Sequence, residues 1–196
     1  MSKRFTQDNT FNGKVIKMEE GMEADCRVLD AIEDSIDRAV SDGAGTMLLY
    51  EIVLPRQYAE QNNANDRFKR IQAEICKHQK RRDGSDTTPR YIAVRDSMSD
   101  VPVFKVSMFL PEKTSYEKSE FEEKGTCIVH GKIGDWKAYM ERNEEAMFER
   151  HGLMVKDTVP LDGTKDAKDE AFYVASEMAA MKRHNGERTL FRSKSK

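Results

Sequence analysis

Two prolines, Pro89 and Pro111, bracket a stretch that leaves the backbone few choices. Proline has no N–H to give to a ladder, so each marks the margin of a strand rather than its middle. Between them lie Arg90-Tyr91-Ile92-Ala93-Val94-Arg95 and Val103-Phe104-Lys105-Val106-Ser107-Met108-Phe109-Leu110. The turn-rich Asp96-Ser97-Met98-Ser99-Asp100 separates the two runs. The economical reading is an antiparallel hairpin. Strict alternation puts Phe104, Val106 and Met108 on one face of the second strand and Val103, Lys105, Ser107 and Phe109 on the other. Val103 and Lys105 therefore stand side by side.

Helical patterns surround this pair. From Met22, the residues Val28, Leu29, Ile32, Ile36 and Val40 recur at three- and four-residue steps until Asp42-Gly43 breaks the run. Thr46 to Leu54 is almost continuously apolar, which predicts a central strand covered on both sides. Its one carboxylate, Glu51, is costly there unless paired or facing a wet cleft, so it is either a satisfied rim residue or a site residue. Gln57 to Asn65 reads as a connector, and Asp66 to Arg82 as a helix with Phe68, Ile71, Ile75 and Cys76 inward. The other faces of that helix carry Arg67, Lys69, Arg70, Lys77, Lys80, Arg81 and Arg82. Such a stripe is either a solvated face that suits the helix dipole or a phosphate-contacting surface. After Pro111 the pattern predicts a short helix at Tyr116 to Lys124, a strand at Thr126 to His130 and a helix opened by Asp135. A strand at Leu153 to Val159 and a last helix from Asp166 to Lys182 follow. The fold class expected is α+β, an antiparallel-centred sheet with helices packed on it.

Length and composition bound the rest. A chain of 196 residues supports one domain with a proper core. The division expected is a polar N-terminal arm over 1–21, a single domain over 22–181 and a basic tail over 182–196. Charged residues make up 35% against 38% hydrophobic, and the apolar runs are strand-sized, so no membrane is expected as a partner and the location expected is cytoplasmic. Cys26, Cys76 and Cys127 lack any paired spacing and read as small buried residues rather than disulfide or zinc ligands. His78, His130, His151 and His184 are scattered and read as surface or capping residues, so no cofactor and no metal are expected. A net charge of -2 means that any nucleic-acid binding must come from local clusters.

Three matches in order resemble the replication-initiator family of filamentous phages (inoviruses) and its prophage relatives, which use the HUH endonuclease fold. They are Leu49-Tyr50-Glu51-Ile52-Val53-Leu54-Pro55, the Arg90 to Leu110 hairpin, and Phe172-Tyr173-Val174-Ala175-Ser176-Glu177-Met178-Ala179 closed by Gly186-Glu187-Arg188-Thr189-Leu190-Phe191-Arg192-Ser193. Together they span roughly Met22 to Lys196. The resemblance implies a fold that nicks one DNA strand, with two histidines on one strand holding a divalent metal and a helical tyrosine forming a phosphotyrosine link. Here the positions matching the histidines hold Val103 and Lys105, so Glu51, Val103 and Lys105 mark a former metal site. Where the family carries a tyrosine and then a lysine after Phe-Tyr, this chain has Glu177 and Ala180. Tyr173 remains, either as a core residue or, in an active nickase, as the nucleophile.

The expectation is therefore a non-nicking relative of phage or mobile-element origin that binds DNA, including single-stranded DNA. Lys105 would supply fixed charge in place of the metal, joined by the Arg67 to Arg82 stripe and by Arg188, Arg192 and Lys194 of the tail, with Phe191 as a stacking group. The alternative is a protein-interaction module that docks on a host or phage protein and inhibits or regulates a host or defence factor, favoured by the acidic segments Glu19 to Asp37, Glu117 to Glu123 and Glu141 to Glu149.

Overall fold

A computed structural model describes residues 4–58, 61–84, 88–96, 101–111, 117–133, 152–182 and 189–193. In chain order the described strands are β1 (Phe5–Thr6), β2 (Thr10–Phe11), β3 (Lys14–Val15), β4 (Met22–Asp25), β5 (Ala44–Val53), β6 (Arg90–Asp96), β7 (Val103–Pro111), β8 (Gly152–Pro160), β9 (Ala180–Lys182) and β10 (Thr189–Arg192). The described helices are α1 (Cys26–Ser41), α2 (Gln61–Asp83), α3 (Lys118–Ile133) and α4 (Lys165–Ser176). Five strands form the main sheet in the order β10-β6-β7-β5-β8, every neighbour antiparallel. The α+β class and the antiparallel sheet are thus as expected.

The hairpin supplies the sheet's middle. Arg95 faces Phe104 and Arg90 faces Phe109, so the whole of β6 pairs with β7 from Val103 to Phe109. The near-continuous apolarity of β5 has its cause in the same sheet, because β5 lies between β7 and β8 with helices on both sides. Alternation then splits the core in two. Met47, Leu49, Ile92, Val94 and Phe109 meet Leu29, Ile32 and Ile36 of α1 and Phe172 and Ala175 of α4. Leu48, Tyr50, Ile52, Phe104, Val106 and Met108 meet Phe68, Ile71 and Ile75 of α2 and Phe121 and Val129 of α3.

Helix starts follow local chemistry. The Asp25 side chain caps α1 by accepting from Arg27 N, and its buried carboxylate is held by the Arg27 guanidinium at 2.7 Å. Thr164 caps α4 by accepting from Ala167 N. Such caps contribute about 1 kcal/mol each. α1 ends at Asp42, with Gly43 at a φ of 84 that a side chain would resist.

Several expected boundaries move. Residues 4–21, expected as a polar arm, are built into the fold: Phe5–Thr6 pairs with β4, Ile16 is buried, and β4 itself joins β9 in a second sheet ordered β1-β4-β9. Gln61 to Asn65, expected in a connector, opens α2. Thr126 to His130 is helical rather than a strand, because Phe121 and Val129, two turns apart, are buried on one side of the single helix α3. The last helix stops at Ser176, and Ala180–Lys182 turns into β9. Thr189–Arg192, expected within the basic tail, adds strand β10 beside β6. The helix expected from Asp135 lies outside the described residues.

α3 approaches β8 closely. A side-chain carbon at Gly125 would come within 2.6 Å of Leu153, and one at Gly152 within 2.9 Å of Thr126. At this distance Thr126 Oγ1 accepts from Leu153 N at 3.1 Å and donates to Leu153 O at 3.3 Å. Glu122 accepts from Val155 N at 2.7 Å. Among the described residues no helix is long and apolar enough to cross a membrane.

Candidate nucleic-acid interface

Lys105 sits on the α1/α4 face of the sheet, next to Ser107 and Phe109 in the alternation of β7. Its ammonium is 3.8 Å from a Glu177 oxygen, and the other oxygen of Glu177 is 2.7 Å from Lys17 Nζ. The hydrogen bond to Glu177 holds the Lys17 pKa above the ordinary lysine value against its partial burial, helped by the charges of Glu177, Asp157 and Tyr173. Glu51 faces Lys105 across the β5–β7 register, and its carboxylate is 3.1 Å from Lys156 Nζ. The open choice for Glu51 thus has an answer: it is an ion-paired rim residue. Val103 is half-buried at the strand's start, opposite Val53. A metal does not fit this arrangement. A valine, an ammonium already facing a carboxylate and a glutamate committed to a lysine offer no ligand set, and among the described residues no group of three metal-ligating side chains converges anywhere.

Tyr173 is not a core residue. It is 42% exposed, because the buried side of α4 is taken by Ala171, Phe172, Val174 and Ala175 and leaves Tyr173 facing outward. Its carbonyl accepts from Ser176 Oγ at 2.6 Å, and that oxygen accepts from Lys17 N at 2.7 Å, which sets the tyrosine backbone beside the lysine–glutamate network.

The basic helix α2 lies on the opposite face of the sheet. Ala64, Phe68, Ile71 and Ile75 are buried there, and Phe68 stacks on Phe104 with ring centroids 4.3 Å apart. Below them Tyr50 donates its hydroxyl to Gln72 Oε1 at 2.9 Å, and burial pushes the Cys76 thiol up to about 11. The stripe is not uniform. Arg67 turns inward, donating to Lys132 O at 2.8 Å and covering the Tyr58 ring. Arg82 pairs with Glu120 at 3.1 Å. Lys80 is half-buried. Lys69 and Lys77 make only loose pairs within the helix, at 3.5 Å with Asp66 and 3.8 Å with Glu74, and remain exposed, as do Arg70 and Arg81. Exposed pairs of this kind contribute about 0–1 kcal/mol, so these cations stay available to a polyanion.

The expectation that Lys105, the α2 stripe and the tail share one surface is therefore corrected. Side chains on opposite faces of a sheet cannot line one groove, and Lys105 belongs with α1 and α4. Arg192 is exposed on β10 but also on the α1 side, while Arg188 and Lys194 lie outside the described residues. Phe191 is no stacking platform: its ring packs 5.0 Å from Phe68 and 5.8 Å from Phe104. Cys26 and Cys76 are buried as expected, whereas Cys127 is exposed on α3. His78 is half-buried between α2 and α3, its pKa lowered first by desolvation and then by Lys124 and Arg82. His130 is half-buried on α3, and His151 and His184 lie outside the described residues.

Sequence reasoning missed Lys17 and Lys156 as partners of Glu177 and Glu51, and it missed Arg38 and Arg90 beside Arg192. Only the strand alternation of β8 could have pointed to Lys156. The other contacts join segments far apart in the chain. Comparison with protein-family models, curated proteins and solved structures finds no match to this chain.

Proposed function

We propose that this protein is a replication-initiator-like scaffold without nicking activity that binds DNA through the outer face of α2. One observation carries the reading. α2 holds seven Lys and Arg against three Asp and Glu, and its exposed members Lys69, Arg70, Lys77 and Arg81 ride on a helix anchored by a buried aromatic stack. Cations held this way, with at most loose partners, bind phosphates without reading bases, and their affinity falls steeply with salt through counterion release. Lys105 takes no part, because Glu177 shares its charge on the far side of the sheet.

Fluorescence anisotropy with a labelled single-stranded oligonucleotide across a salt series tests this. Arg70→Glu with Arg81→Glu is expected to weaken binding at least about tenfold at low salt and to flatten the salt slope by about 1 for each phosphate no longer neutralised. Lys105→Gln is expected to leave binding unchanged. Binding that ignores salt, or that survives the double reversal, would sink the proposal. So would a protein-linked nick formed with Mg²⁺ or Mn²⁺ and abolished in Tyr173→Phe.

The acidic α1/α4 layer favours a second reading, a docking module for a basic protein surface. In that case a basic partner captured from lysate no longer binds when Asp34 and Asp37 are replaced by lysine.

A further inference from the structure

A cleft opens on the α1 side at the β6/β10 margin of the sheet, lined by Asp34, Ser35, Arg38, Arg90, Arg192 and Ser193 together with Tyr91. Its volume is about 80 Å³. That is ample room for one tetrahedral oxyanion, since about 10–15 Å³ on this measure already admits a water.

Three arginines from three elements line it. Arg38 comes from the last turn of α1 and is 3.8 Å from Asp34, Arg90 from β6 is paired with Asp42, and Arg192 comes from β10. Cations at the end of a helix complement its partial negative charge of about half a unit, which accounts for Arg38 and Arg90 together with the two carboxylates. Arg192 goes beyond that requirement. It is brought in by backbone pairing of β10 with β6, in register Arg192↔Ile92, and leaves the cleft with a positive excess. The Ser193 hydroxyl accepts from Tyr91 N at 3.2 Å, so its own proton is directed elsewhere. Planar guanidinium forks match phosphate oxygens in pairs, which a lysine cannot do.

We propose that this cleft binds one phosphate monoester, supplied either by a small phosphorylated metabolite or by the terminal phosphate of a DNA strand. A monoester dianion suits it better than a diester, because it brings a second negative charge to the three arginines. The site is independent of the α2 surface, from which the sheet separates it.

The test follows backbone amide resonances during titration with inorganic phosphate. Saturating shifts are expected at Ser35, Arg90, Arg192 and Ser193 with a millimolar midpoint. Arg192→Ala is expected to weaken binding at least about tenfold, Arg192→Lys to restore it only in part, and the Arg70→Glu, Arg81→Glu variant to leave it intact. Unchanged resonances elsewhere in Arg192→Ala verify that the variant folds. Shifts scattered over α2, no saturation, or equal binding by Arg192→Ala would overturn the site. A 5′-phosphorylated oligonucleotide that binds more tightly than its 5′-hydroxyl counterpart, with the difference abolished in Arg192→Ala, upholds the site and assigns the phosphate to DNA. Equal binding of the two oligonucleotides alongside saturating inorganic phosphate upholds it and assigns a small molecule.

Discussion

On one face of the main sheet, α1 and α4 carry seven Asp and Glu against four Lys and Arg; on the other, α2 carries seven Lys and Arg against three Asp and Glu. The two layers also differ beneath the surface. The α1/α4 core is apolar apart from contacts such as Ser107 Oγ to Met178 Sδ at 3.2 Å, whereas the α2/α3 core combines an aromatic stack with the buried Tyr50–Gln72 hydrogen bond. A net charge of -2 conceals this polarity completely. The lesson is that partner choice belongs to a face of the sheet: within a Debye length of about 8–10 Å a polyanion meets an attractive field over α2 and, away from the arginine cleft at the β6/β10 margin, a repulsive one over α1 and α4.

The deepest test of the contrast is to truncate one large aromatic in each layer. Phe104→Ala and Phe172→Ala should each cost about 3–5 kcal/mol in urea unfolding. Phe104 should cost more by about 0.5–1.5 kcal/mol, because its removal also breaks the stack on Phe68. Equal losses would show that the stack adds nothing beyond buried area.

A smaller effect is expected from Tyr50→Phe. It strands the Gln72 oxygen in the α2/α3 core at a cost of about 1–3 kcal/mol, read from the same unfolding curves. A neutral result would mean that Gln72 finds another donor and that this layer is less rigid than its geometry implies.

The smallest effect concerns pH. His78 lies among Lys124 and Arg82, and its folded pKa is below the ordinary value of 6.5, led by desolvation. The unfolded chain therefore takes up the proton first. Stability should fall as pH drops below about 6.5 and level off once the folded form is protonated as well. His78→Gln should flatten that slope; an unchanged slope would mean that the basic layer tolerates one more cation.

Much of the fold is legible in the sequence because its signals are local. The hairpin between Pro89 and Pro111, the 3.6-residue spacing of Leu29, Ile32 and Ile36 and the apolar run of β5 each declare an element within a short window. α3 escapes such a reading because its glycines, Gly125 and Gly131, mimic turn punctuation, while Gly125 in fact permits the close approach to Leu153. The N-terminal strands escape it because a two-residue strand has no periodicity, and its stability comes from partners such as Asp25 and Ala24 further along the chain. The candidate site is half legible. Residue types at Lys105 and along α2 can be read directly, but only the alternation of β7 combined with the helix layering shows that they face opposite ways.

The closeness of α3 to β8 also bears on solution behaviour at high concentration. Among the described residues β8 is the last strand on its side of the sheet, and a bare outer rim of amides and carbonyls is an invitation to foreign chains. Thr126 and Glu122 occupy that rim at Leu153 and Val155, so α3 acts as a latch against fibril-like stacking. Any event that lifts α3, such as a bulky group at Gly125 pressing on Leu153, would bare that rim as a seed for growth.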